Sequence, residues 1–297
     1  MSVENECIIV SVSVQLPGYI KVAKKETIEL CDNKKASVDS VGVKKNIFGS
    51  HESYNAIRNH IASTKTDLYK SSLPWGDRTG ERLVHKTKWS YVENLLNAAE
   101  LEFNRLVDDF LKNYEKEIIP HAKSKLGDMF DPSEYPSLSE MKKEFKWHNG
   151  GARVPDPHDM RTVLGLAEED KFRKKVEAEH NRKIEIAVSD TVEKIETATS
   201  RLLDRMESYR VVEENGKKKV HGKFKDATLR NMKDISDLLK TMNITNNPDI
   251  EKIRSVINDK ISRWDSKELR EDSGKREVVA KDAREILKIV KGVTANE

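Results

Sequence analysis

Two long stretches of the chain place an apolar residue at every third or fourth position, at 92–118 and again at 188–209. This spacing puts the apolar side chains on one face of an α-helix. We therefore predict amphipathic helices over 83–119 and 166–209. Because each is polar on its other faces, each needs a partner along its stripe. We predict that the two pack on each other as a long antiparallel, coiled-coil-like hairpin.

Strand patterns occur at two places. Residues 10–16 alternate between apolar and polar, and a second short apolar run follows the Pro17-Gly18 break at 19–22. This pattern predicts a small N-terminal β-hairpin. Farther along, valines flank Asn215-Gly216, a favoured two-residue turn, which predicts a β-ribbon inserted near 211–224.

Helical spacing and helix-start signals recur elsewhere in the chain. Ser137 with Glu140 forms a capping-box pattern, and Asn247-Pro248 is a typical helix start. The additional predicted helices cover 26–30, 54–68, 137–145, 227–242, a segment beginning at 247, 265–270 and 275–290. The predicted fold class is therefore mainly α, with a helical C-terminal part. We divide it into 1–160 and 161–297 and expect one cooperative unit.

Composition narrows the class of protein. Of the 297 residues, 35% are charged and 6% aromatic, and the formal net charge is only +3, which argues against a dedicated duplex-DNA binder. Two cysteines do not make a disulfide scaffold, so we predict free thiols at Cys7 and Cys31. The start lacks a signal-peptide pattern, and the longest apolar run, 8–10, is far too short for a membrane span. We expect a soluble protein of the cytoplasm, without membrane contact.

The common catalytic motifs do not occur. There is no Gly-x-x-x-x-Gly-Lys-Ser/Thr phosphate loop, no His-Glu-x-x-His, no Cys-x-x-Cys and no Gly-x-Ser-x-Gly. We therefore expect a protein that is not an enzyme and uses no cofactor.

Three groups of polar residues allow a site. His148 and His158, beside Asp156 and Asp159, have the ligand types of a divalent-metal site, although surface loop residues are the simpler interpretation. Paired carboxylates can perform acid–base work. The second group comprises the carboxylates Asp128, Asp131 and Glu134, which turn formation explains more simply. The third is His180 on the predicted 166–209 helix, for which a packing role is the simpler interpretation.

The ribbon carries the main cluster of basic residues. Such a cluster can grip phosphates, which makes it a candidate nucleic-acid contact. Alternatively it is a solvated tip, where lysines keep strand edges from pairing. Its members are Lys217, Lys218, Lys219, His221, Lys223 and Lys225.

Tryptophans supply the candidate protein contacts. An exposed tryptophan can anchor a partner, because this residue is enriched in interface hot spots. The candidates, which lie in predicted loops or at a helix end, are Trp75, Trp147 and Trp264.

Three segments together resemble a helical family of unknown function found in tailed phages and bacterial mobile elements. They are the Ile-Val-Ser-Val-Ser-Val run at 9–14, the stretch 126–137, and Glu-Leu-Arg-Glu-Asp at 268–272 followed by 278–287. The resemblance spans most of the chain, and the ribbon is an addition to the family pattern. Genes of this family often lie beside a MoxR/CobS-type AAA ATPase and a von Willebrand A-domain protein.

Three functions follow. The resemblance implies a phage or mobile-element accessory protein in the host cytoplasm, an adaptor or scaffold for the AAA ATPase, with self-association as another mode of contact. The basic ribbon favours an accessory protein that binds nucleic acid in phage replication or recombination. The loops containing 128–159 leave open a metal-dependent enzyme.

Overall fold

The computed structural model describes residues 3–48, 50–77, 80–156, 166–214 and 217–295. It is mainly helical, which confirms the predicted fold class. Within these ranges, none of the helices combines the length and apolar composition that crossing a bilayer requires.

The helices, in chain order, are α1 (Val3–Glu6), α2 (Lys24–Lys34), α3 (Glu52–Lys70), α4 (Trp89–Asn113), α5 (Ile119–Leu126), α6 (Leu138–Glu144), α7 (Leu166–Ser208), α8 (Asp226–Met242), α9 (Pro248–Val256), α10 (Ser266–Glu271) and α11 (Ser273–Ala295). The strands are β1 (Cys7–Gln15), β2 (Ile20–Val22), β3 (Lys44–Asn46), β4 (Leu73–Pro74), β5 (Glu81–His85), β6 (Lys146–Arg153), β7 (Arg210–Glu214) and β8 (Lys217–His221). One π-helical turn joins α4 to α5 and another follows α9.

The chain forms two compact units that do not divide at residue 160 as predicted. Unit 1 comprises Met1–Val10, Tyr69–Ser90 and Gly151–Glu297, and unit 2 comprises Ser11–Leu68 and Tyr91–Gly150. The early segments join the C-terminal half because Val3, Leu73 and Trp75 share a hydrophobic cluster with Ala187 and Leu238.

The two N-terminal strands exist, but the prediction that they form a hairpin with each other is wrong. β1 lies in a sheet of strand order β4-β5-β1-β6, whereas β2 pairs antiparallel with β3. Consecutive residues Ile9 and Val10 of β1 are both buried, so this strand is covered on both faces. A lone hairpin cannot cover two faces, which is the physical reason for the different pairing.

Unit 2 is built on an aromatic core along α3 and α4. Phe48 lies 4.7 Å from Tyr54 and Phe110 5.3 Å from Phe145, measured between ring centroids. The α4 stripe contributes Phe103 and Phe110 to this core. The helical path does not end at Pro120, because the π-helical turn Tyr114–Ile118 leads into α5, which has Pro120 in its first turn. Proline lacks an amide donor and crowds the preceding turn, which accounts for the local change in winding.

Unit 1 depends on the stripe of α7. The buried stripe residues, from Val188 to Tyr209, share one hydrophobic cluster with residues of α8, α9 and α11, and α7 packs mainly along α11. The predicted pairing of the two long helices is therefore wrong. Each stripe is buried inside its own unit, α4 by aromatic rings and α7 by aliphatic side chains that include Ile286.

Two predicted helix-start signals, those of α6 and α9, are confirmed. The capping box at the start of α6 is present, with the Ser137 amide donating to Glu140 at 2.9 Å. Asn247 caps α9 by accepting from the Asp249 amide at 2.8 Å.

The packing of α11 on α7 predicts a contrast between two of its residues. Ile286 is fully buried, so Ile286→Ala should lower the free energy of unfolding by roughly 2–5 kcal/mol through lost burial and a residual cavity. Val278 is 43% exposed, so Val278→Ala should change the free energy of unfolding by at most about 0.5 kcal/mol. Urea unfolding of both variants tests this, and equal losses would contradict the packing.

Candidate functional site

The predicted ribbon is present and is formed by β7 and β8, which we call the ribbon from here on. The strands pair antiparallel with Val211 opposite Val220 and Val212 opposite Lys219. Asn215 and Gly216, the predicted turn, lie outside the described residues.

Two aromatic rings hold the base of the ribbon. Tyr209, directly before β7, and Phe224, after β8, are 8% and 5% exposed, and their ring centroids lie 6.4 Å apart. The Arg276 guanidinium lies 5.4 Å from the Tyr209 ring and that of Arg270 lies 5.8 Å from the Phe224 ring. Cations over aromatic faces are attractive, more so when partly desolvated. We call these four residues the base clamp.

Hydrogen bonds tie the clamp arginines to the surrounding backbone. Arg276 donates to the Leu269 carbonyl at 2.8 Å. Arg270 donates to the Phe224 carbonyl at 3.3 Å and pairs with Asp226, whose pKa this contact lowers. The two ends of the ribbon are thus attached to α10 and α11.

A glycine completes the exit from β8. Gly222 has a φ of +83°, and a Cβ atom there would lie 2.8 Å from the Ser208 carbonyl oxygen. Both the left-handed backbone and the close approach require glycine. The return of the chain past the end of α7 therefore rests on this residue.

The predicted basic residues lie on or directly after the ribbon, which also carries two glutamates. Lys219, His221, Lys223 and Lys225 are exposed, and the side chains of Lys217 and Lys218 lie outside the described part. The register places Glu213 and Glu214 opposite Lys218 and Lys217. Residues 210–221 carry four Lys/Arg and two Glu, a net charge of +2, so the ribbon is mixed in charge.

Apolar side chains are exposed on both faces of the ribbon. Val211 and Val220 are opposite each other and 42% and 54% exposed, and neighbouring Val212, on the other face, is 40% exposed. Exposed valines on a two-stranded element with open edges are typical of a surface that pairs with another chain.

The three predicted partner tryptophans differ in position. Trp75 is 1% exposed and lies 5.6 Å from the His180 ring, so the prediction that it offers a partner contact is wrong. Its apolar ring is used in the unit 1 core. Trp147 and Trp264 are partly exposed. Trp147 packs on Phe103, and Trp264 packs against the α7–α11 cluster.

The candidate metal-site residues and His180 differ in their exposure and contacts. His148 and Asp156 are exposed, whereas His158 and Asp159 lie outside the described residues. Within the part of the chain that the structure describes, no three His, Cys, Asp or Glu side chains are grouped so as to hold a metal ion. His180 pairs with Glu4 at 2.9 Å.

Asp131 and Glu134 make hydrogen bonds and an ion pair within and around the 128–134 loop. Asp131 accepts from the Ser133 amide and hydroxyl at 2.9 and 2.7 Å, and these bonds lower its pKa. Glu134 pairs with Lys45 at 2.9 Å, and Lys45 also donates to the Met129 carbonyl at 2.7 Å. Asp128 is exposed. Turn formation, the simpler interpretation of this group, fits these contacts.

A polar pocket in unit 1 was not predicted. It encloses about 450 Å³ including its open mouth, and its lining residues are Val3, Glu6, Cys7, His85, Lys240, Thr241, Asn243, Ile244 and Asn246. Several polar groups are already engaged. Glu6 pairs with Lys86 at 2.9 Å, and Asn243 makes two bonds of 2.9 Å with Asn247.

The pocket thiol is poorly suited to nucleophilic work. Burial, reinforced by the nearby carboxylates of Glu6 and Glu4, raises the pKa of Cys7 to about 12. Burial also lowers the pKa of His85. Because the thiolate is the reactive species, Cys7 is protonated and unreactive near neutral pH.

Comparison of the chain with protein-family models, with curated proteins and with solved structures finds no match.

The base of the ribbon predicts a local effect of Gly222→Ala. The added Cβ meets the Ser208 carbonyl in a backbone conformation that costs a non-glycine residue about 1–3 kcal/mol. Limited trypsin digestion should therefore cut faster after the ribbon lysines. Gly292→Ala is the control, since nothing lies within 4 Å of its added Cβ. Equal cleavage rates in the two variants would be inconsistent with a strained exit.

The environment of Cys7 predicts slow alkylation in a Cys31→Ala background. At pH 8 a thiol with a pKa of about 12 has roughly a thousandfold less thiolate than an ordinary cysteine. Iodoacetamide labelling of the folded protein should keep rising with pH above 9, where labelling of the urea-unfolded chain levels off. A folded-state rate that also levels off near pH 9 would refute the raised pKa.

Proposed function

We propose that this protein is a non-enzymatic adaptor that acts by binding another protein, with the ribbon as its contact element. The observation that carries the proposal is the combination of valines exposed on both faces with a base fixed by the clamp. A preorganised element loses less conformational freedom on binding than a mobile loop does.

The charge pattern favours a protein partner over nucleic acid. Nucleic-acid affinity comes largely from phosphate neutralisation by an uncompensated basic surface. The register places two of the four Lys/Arg positions of the ribbon opposite glutamate positions, and residues 210–221 carry a net charge of only +2. Opposite charges at paired positions of an antiparallel ladder offset one another, which supports a protein partner over nucleic acid.

The resemblance to the phage and mobile-element family supplies a candidate partner. The gene neighbourhood of that family supports a MoxR/CobS-type AAA ATPase, with this chain as its accessory protein in the host cytoplasm. Trp147 and Trp264, being partly exposed, are candidates for additional contacts. Self-association is the other mode of contact that the open ribbon allows.

The partner prediction is tested by replacing the three ribbon valines with serine (Val211→Ser, Val212→Ser, Val220→Ser). Loss of their apolar area should weaken binding to the MoxR/CobS-type AAA ATPase at least tenfold. Sedimentation or calorimetry measures this affinity. Val278→Ser, an exposed valine of α11, is the matched control. Unchanged binding by the ribbon variant, or no complex at micromolar concentrations, would contradict the proposal.

Nucleic-acid binding remains the alternative, favoured by the exposed side chains of Arg210, His221, Lys223 and Lys225 around the base. It predicts binding to single- or double-stranded DNA that weakens steeply with salt and is lost on Lys217→Glu, Lys218→Glu and Lys219→Glu together. Absent or salt-insensitive binding would dismiss it.

A further inference from the structure

We infer that the outer edge of β8 is a docking site for an extended acidic segment of a partner protein, which adds to the ribbon as a third strand. The inference rests on the proposed function and names the contact through which the ribbon binds. Adding a strand to an open sheet edge gains main-chain hydrogen bonds, while side chains decide which partner is accepted.

The register identifies the backbone groups of this edge. Only two residues separate Glu214 from Lys217, and in a hairpin with a two-residue loop the pair that flanks the loop is hydrogen-bonded. Hydrogen-bonded and non-hydrogen-bonded pairs alternate along an antiparallel ladder. Lys218 and Val220 therefore direct their amide and carbonyl groups away from β7. Among the described strands, β8 pairs with β7 alone.

On β7 the corresponding residues are Val211 and Glu213, which turn their backbone groups to the opposite edge. The ribbon thus has two open edges of the same geometry. They differ in charge, because β8 contains three lysines and β7 contains one arginine and two glutamates.

This difference selects the occupant. β7 carries two glutamates, and the register places them at the positions opposite Lys217 and Lys218, so an acidic strand already pairs with one side of β8. A second acidic strand on the outer side would face the same lysine positions and offset the remaining net charge of +2 on residues 210–221. Opposite charges on neighbouring strands stabilise pairing and like charges destabilise it.

The same rule disfavours symmetric pairing with a second copy. Two β8 edges would bring three lysines of each copy together, and two β7 edges would bring glutamates together. Pairing β8 of one copy with β7 of the next would match charges, but that contact is head-to-tail and generates a ring or an open filament rather than a two-fold dimer. The favoured occupant is therefore a strand from a different protein.

The experiment compares two proline variants of the full-length protein, Val220→Pro and Val211→Pro. Each removes one outward-directed amide from an edge without removing a ladder hydrogen bond, and the two valines lie opposite each other. The probe is a fluorescein-labelled peptide of alternating glutamate and valine, followed by anisotropy, with the lysine–valine peptide as its charge control. Retained amide protection at Lys219 verifies that the ribbon remains paired in both variants.

We expect the wild type to bind the acidic peptide and not the basic one. Val220→Pro should weaken binding about tenfold or more, and Val211→Pro should change it less than about twofold. Equal effects of the two prolines, or binding of both peptides, would overturn the inference. Equally effective displacement of the acidic peptide from both variants by duplex DNA would also overturn it. Concentration-dependent rings or filaments that dissociate with either proline would overturn it in favour of a second copy.

The outcomes separate this inference from the proposed function. One outcome is that replacement of the ribbon valines abolishes ATPase binding while Val220→Pro binds the ATPase normally. In that case the ribbon binds its partner by its faces, and only the edge inference fails. If the valine replacement leaves the ATPase bound while the peptide still discriminates the two prolines, the edge accepts acidic strands and the proposed partner contact fails.

Discussion

Burial of the α7 stripe is the interaction on which unit 1 depends. The stripe runs from Val188 to Tyr209 and is covered by α8, α9 and α11. Its last residue belongs at once to the helix packing and to the base of the ribbon, because Tyr209 packs on Phe224 and lies beneath Arg276 of α11. The α7 stripe thereby fixes where the ribbon begins. At the other end of the ribbon, Arg270 contacts Phe224 and fixes its position.

The helices were predictable and their partners were not. An apolar stripe shows that a helix needs a neighbour, but it does not say which one, and the stripes of α4 and α7 are buried by different sets of side chains. β4 was missed because it has only two residues, and β6 because Gly150 and Gly151 are typical of loops. The predicted helix 83–119 began too early, because Leu83 to His85 belong to β5 and α4 starts at Trp89. The consecutive apolar residues Ile8, Ile9 and Val10 were the available sequence signal that β1 is covered on both faces and that a hairpin would not suffice.

For the candidate site, the sequence predicted the ribbon but not its charge balance. Asn215-Gly216 between valine runs located the strands, and the register that follows places Glu213 and Glu214 opposite lysines. Counting the basic residues alone leaves these two glutamates out. The base clamp had no sequence signal, because Arg270 lies 46 positions from Phe224 and only the fold brings them together. Trp75 shows the same limit, since its loop-like neighbourhood gave no indication of its burial.

Together these features support the proposal that the ribbon is a binding element. The clamp and Gly222 restrain its base, while Val211, Val212 and Val220 are exposed. The charge difference between the two edges disfavours symmetric self-pairing, a common hazard of exposed strands.

Residue-resolved amide hydrogen exchange of the free protein shows whether the ribbon is paired before any partner binds. We expect alternation along the strands, with the amides of Val212 and Lys219 protected by the ladder and those of Val211 and Val220 exchanging rapidly. Uniformly fast exchange across residues 210–221 would show a segment without stable pairing and would rule out a preformed ribbon.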